Sequence, residues 1–73
     1  MVDIRKLRSW MALRGYDQKT LVAEIKARGG KMSENTLSAK MNGTSKFDCD
    51  DADIICEVLK VENGEDKAEI FLA

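Results

Sequence analysis

Apolar residues recur along the chain at helical spacing, in short blocks separated by polar clusters. In the first block Ile4, Leu7 and Met11 stand at i, i+3 and i+7 with Trp10 beside them. That spacing predicts a helix from about Asp3 to Leu13 with one buried stripe, stopped by Gly15. In the second block Asp17 is a helix cap, and Tyr16 and Leu21 occupy the two positions of a hydrophobic staple. A helix over 17–28 follows, with Leu21, Val22 and Ile25 as its stripe and Gly29-Gly30 as its breaker.

The third block repeats this logic. Met32 and Leu37 flank a Ser33 cap, Leu37 and Met41 face inward, and Asn42-Gly43 ends a helix over 33–41. Thr44-Ser45-Lys46 leads on to Phe47. Asp48 caps a fourth helix, with Asp50 and Asp51 placed against the positive end of its dipole and Ala52, Ile55, Cys56 and Leu59 on its inner face. The run from Glu62 to Asp66 is a turn that opens a short fifth helix. Ile70, Phe71 and Leu72 are expected to fold back as a plug for the core, and the last four residues are the only segment with any strand character. The fold class is therefore all-α: a compact bundle of about five short helices, one domain over 1–73.

Composition narrows the chemistry. A chain of 73 residues buries only about 60% of its unfolded surface, which leaves little material for a deep catalytic cleft. Histidine is absent, and neither Cys49 nor Cys56 has a base in evident reach, so no enzyme, cofactor or small-molecule substrate is expected. The two cysteines lie two helical turns apart, about 10 Å along one axis, too far for a disulfide. Cys56 is expected in the core and Cys49 near a helix start, both as free thiols. Asp48-Cys49-Asp50-Asp51-Ala52-Asp53 invites a calcium-loop reading, but the fifth position falls on Ala52 and the sixth, which requires glycine, on Asp53. No metal is expected. With no long apolar run and no signal-like stretch behind a basic start, the expectation is a cytoplasmic protein that does not touch the membrane.

Charge changes the picture more. The net charge is −1, yet from residue 1 to 46 ten Lys/Arg stand against four Asp/Glu, a balance of +6. The remainder carries two against nine, a balance of −7. A basic working face and an acidic remainder fit this split, although solvated surface charge alone can produce one.

Within the basic half, two capped and stapled helices are joined by a glycine-bearing turn. That is the layout of a helix-turn-helix, in which the second helix enters the major groove of DNA with its first residues against base edges. The chemistry of 33–41 suits the role. Asn35 can bond adenine N6 and N7, Glu34 can accept from cytosine N4, Ala39 can rest on a thymine methyl, and Ser38 can pair with several bases. Gln18, at the start of the preceding helix, offers a side chain and a backbone N–H to a phosphate, and Lys31, Lys40 and Lys46 add positive charge along the same edge.

The stretch Gln18-x-x-Leu21, then Ser33-x-x-Thr36-Leu37-Ser38 and Asn42-Gly43, resembles the phage repressor and Cro-type proteins. The resemblance continues through Ser45-x-Phe47 and the acidic fourth helix to Glu69-Ile70-Phe71, nearest to the small Cro-like prophage regulators of Gram-positive bacteria. It implies a five-helix, lambda-repressor-like domain that binds operator DNA in the bacterial cytoplasm, commonly as a homodimer on a palindrome. Carried over by position, it makes Glu34, Asn35, Ser38 and Ala39 base readers. Gln18, Ser33 and Asn42, with Thr44, Ser45 and Lys46 after Gly43, become phosphate contacts. Two departures stand out: the turn over 26–32 is expanded, and Val22 stands where that family usually has alanine.

Two rivals use the same scaffold. A protein-interaction module, such as an antirepressor, an antitoxin-like partner or an adaptor, needs an exposed apolar patch, which no segment clearly offers. A charge-driven DNA binder without sequence preference needs only the basic half.

Overall fold

Each helix begins where a side chain can satisfy the free N–H groups of its first turn. In the computed structural model, which describes residues 2–72, five helices follow in order: α1 (Ile4–Arg14), α2 (Gln18–Ala27), α3 (Glu34–Met41), α4 (Cys49–Leu59) and α5 (Gly64–Phe71). Their caps are Asp3, Asp17, Ser33, Asp48 and Asn63, each accepting a backbone N–H from the first turn. Around α2 and α4 the capping is reciprocal, because Thr20 and Asp51 return a bond to the cap's own backbone.

The ends are equally regular. After α2, the Gly29 N–H donates to the Lys26 carbonyl at 3.0 Å and the Gly30 N–H to the Ile25 carbonyl at 2.9 Å, the paired bonds of a Schellman motif. Gly29 takes the left-handed conformation this requires, with φ +90°. The same pair of bonds closes α1, α3 and α4. At the end of α4 a lysine, Lys60, occupies the left-handed position with φ 57°.

The apolar stripes predicted from spacing meet in one core. Leu7, Leu21, Ile25, Leu37, Ile55, Val58, Leu59 and Ile70 are its most completely buried side chains, and α4 contributes the most. Fully burying each such chain contributes about 1.5–3 kcal/mol. Helix α4 packs against α1, α2 and α5, while α3 leans on α2 and α1 on α5. The ends are tied by polar bonds: the Asp3 N–H donates to the Ile70 carbonyl at 2.6 Å, and Arg14 Nε to the Leu59 carbonyl at 2.8 Å. The Arg14 guanidinium also covers the Trp10 ring, 5.3 Å from its centroid.

The all-helical expectation agrees with five helices and no strand among the described residues. The C-terminal plug needs correcting. Ile70 and Phe71 are buried, but Leu72 is 79% exposed, because α5 carries the chain past the core and turns this side chain outward. The strand character of the last residues is likewise overridden: residues through 71 belong to α5, and Ala73 lies outside the described residues. Cys49 is exposed at the first position of α4 and Cys56 is buried two turns on. No described helix is long and apolar enough to cross a membrane.

Candidate nucleic-acid interface

Helix α3 is anchored on one side only. Leu37 and Met41 are buried, with Met32 just ahead of the cap, while Glu34, Asn35 and Thr36 are exposed. The Ser33 hydroxyl accepts the Thr36 N–H at 3.1 Å and lies 2.9 Å from the Thr36 hydroxyl. This hydroxyl is thus already engaged in holding the start of α3.

The start of α3 faces the length of α2 across an open cleft of about 420 Å³, lined by Lys19, Val22, Ala23, Lys26, Ser33, Glu34 and Asn35. Lys19, Ala23 and Lys26 fall on one stripe of α2 at i, i+4 and i+7, all exposed, with buried Val22 beneath them. The structure thus joins Glu34 and Asn35 to two lysines that the reading by motif left out. Their spacing was visible as a polar stripe, but nothing local says which way such a stripe points.

Other expected site residues are placed less freely. Ser38 and Ala39 lie one turn beyond Glu34 and Asn35 on the same face and are half-buried rather than exposed. Lys40 is corrected more strongly. It is turned inward and paired with Asp51 of α4, with the two side chains only 13% and 16% exposed. Because Asp51 also accepts the Asp48 N–H, this carboxylate closes the α4 cap and fastens the end of α3 at once. Lys40 is therefore committed inside the protein and is not a free cation for phosphate.

Around the rim, Lys31, Asn42, Thr44, Ser45 and Lys46 are exposed and Gln18 is half-buried at the start of α2. The Thr44 and Ser45 N–H groups both donate to the Ala39 carbonyl, at 2.9 and 3.2 Å, so only their hydroxyls remain for a ligand. Next to Gln18, the Asp17 carboxyl is held below its ordinary range, chiefly by the Thr20 N–H it accepts. It stays ionised as a cap and repels a phosphate placed directly over it. The expanded turn becomes residues 28–33, running from the last turn of α2 to the α3 cap. Gly30 sits tightly in it: a Cβ there would overlap Ile25 Cγ2 and lie 2.9 Å from Ile54 Cδ1.

Comparison with protein-family models, curated proteins and solved structures finds no match. The site therefore rests on its own geometry.

A second surface departs from the sequence reading, which found no clear apolar patch. Val2, Ile4, Phe47 and Phe71 line a groove of about 480 Å³, with Lys46 on its rim and the Phe47 and Phe71 rings edge to face at 5.7 Å. The residues come from three separate parts of the chain, so no segment by itself reads as a patch.

Proposed function

We propose that this chain binds duplex DNA with sequence preference, as a phage-type regulator of the Cro and repressor kind. In this reading α2 and α3 form a helix-turn-helix with a long turn. Helix α3 enters the major groove, where Glu34 and Asn35 read bases first and Ser38 and Ala39 follow deeper along the same face. Gln18, Lys31 and the residues after Gly43 hold the backbone. The observation that carries the proposal is the open cleft in which Glu34 and Asn35, at the free start of α3, stand beside Lys19 and Lys26. Base-reading polar groups next to lysines that make no salt bridge among the described residues suit a groove flanked by phosphates.

The test is selection from a pool of randomised duplexes at about 100 mM salt, repeated with Asn35→Ala. Enrichment of a short palindrome, relaxed at one base step by the variant at a cost of about 1–3 kcal/mol, is the expected result and makes the bound species a homodimer. Binding without enrichment points to charge-driven association. Absence of binding at both about 50 and 100 mM salt rejects the DNA reading.

The groove on Val2, Ile4, Phe47 and Phe71 favours a second reading, a protein-interaction module. Its signature is the reverse: Phe47→Ser abolishes partner capture, while Asn35→Ala leaves it unchanged.

A further inference from the structure

We infer that Lys19 and Lys26 extend the phosphate contact of Gln18 along α2, each neutralising one backbone phosphate and thereby making Glu34 tolerable as a base reader. The inference rests on the DNA-binding reading and adds residues that no motif assigned.

Three observations converge on it. Lys19 and Lys26 are exposed and, among the described residues, make no salt bridge, whereas Lys6, Arg28, Lys40 and Lys67 are paired with Glu69, Glu57, Asp51 and Asp53. Both line the same cleft as Glu34 and Asn35, so whatever polyanion reaches α3 also meets them. Between them sits Ala23, the smallest side chain on that stripe, which leaves the middle of α2 open to close approach.

The spacing fits a groove. Seven residues separate the two lysines by about 10.5 Å along the axis, close to the major groove's width of about 12 Å. A helix laid across the groove mouth therefore carries one cation toward each wall. Electrostatics supplies the reason for the pairing. Glu34 alone on the leading end of α3 is repelled by phosphates, but two lysines in its cleft turn the local charge positive while leaving its carboxylate free to accept from a base.

The test is a titration of labelled mixed-sequence duplex with the wild-type chain, Lys19→Gln, Lys26→Gln, the double variant and Lys60→Gln, from about 50 to 200 mM salt. Each single α2 variant is expected to reduce the slope of log K against log salt by about 0.9, and the double variant by about 1.8. Lys60→Gln, which removes the same charge from the end of α4, is expected to leave the slope unchanged. A wild-type slope that the α2 variants do not alter overturns the assignment and leaves the DNA reading standing. An equal reduction with Lys60→Gln also overturns it, because overall charge then accounts for the effect. A wild-type chain that does not bind at about 50 mM salt removes both the assignment and the reading beneath it.

Discussion

At the scale of single residues, the chain holds positions whose neighbours decide what they tolerate. Gly30 has no left-handed φ to explain it, since only Gly15, Gly29 and Gly43 have positive values among the glycines. What excludes a side chain there is space, because Ile25 and Ile54 close over the Cα. Gly30→Ala is expected to cost about 1–3 kcal/mol in urea unfolding, as overpacking does. Gly64→Ala, which meets nothing within 4 Å, is expected to be neutral or to stabilise α5 by about 0.5 kcal/mol. Equal losses at both positions refute the steric account. The cysteines divide on the same principle. Burial pushes the Cys56 thiol up, while Cys49 stands exposed on α4. Alkylation of the native protein should therefore stop after one thiol and reach the second only when the chain unfolds.

At the scale of elements, the helices are set by their first and last turns as much as by their stripes. The Asp17 cap shows how this responds to pH. Accepting the Thr20 N–H lowers its carboxyl below the ordinary value of 3.8. Folding thus favours the ionised form, so the contribution is complete above about pH 4 and disappears as pH falls through the lower folded value. Between pH 5 and pH 2 the thermal midpoint of the wild type should fall more steeply than that of Asp17→Asn, which caps without titrating. Parallel curves refute a role for this carboxylate. Caps of this kind were legible in advance because they are local: the cap and its N–H partner are three residues apart. Leu72 departs from its expected place for the complementary reason. An apolar side chain near a terminus looks like core until the helix phase set by Asn63 turns it outward.

At the scale of the whole molecule, the basic and acidic parts of the chain do not simply separate in space. The Lys40–Asp51 pair joins α3 to α4 in a mostly buried setting, whereas Lys6–Glu69 and Arg28–Glu57 bridge exposed groups at 3.2 and 2.9 Å. Removing Asp51 takes away a helix cap partner and strands a mostly buried ammonium. Asp51→Ala is expected to lower unfolding free energy by about 1–3 kcal/mol, and Glu57→Ala or Glu69→Ala by less than about 1 kcal/mol. The ranking, read by urea titration of the three variants, is the sharp part. If Asp51→Ala costs no more than the other two, the pair does not anchor α3.

The amino-acid sequence specifies four of the helices outright: periodicity, caps and glycine stops give α1 to α3, and a cap with an apolar stripe gives α4, because each signal acts within a turn or two of backbone. Of α5 it gives only the opening turn. It also determined that Glu34 and Asn35 lie at the leading end of α3, since both follow a local cap. Tertiary structure alone decided which charges remain available. Lys40 and Lys26 look alike as surface lysines on short helices, yet one is drawn under α4 by Asp51 and the other is left in the cleft. Only packing likewise brought Val2, Ile4, Phe47 and Phe71 onto one groove. Local hydrogen bonds are specified by neighbours in the chain, whereas the partner of a long flexible side chain is set by which helix the core places beside it.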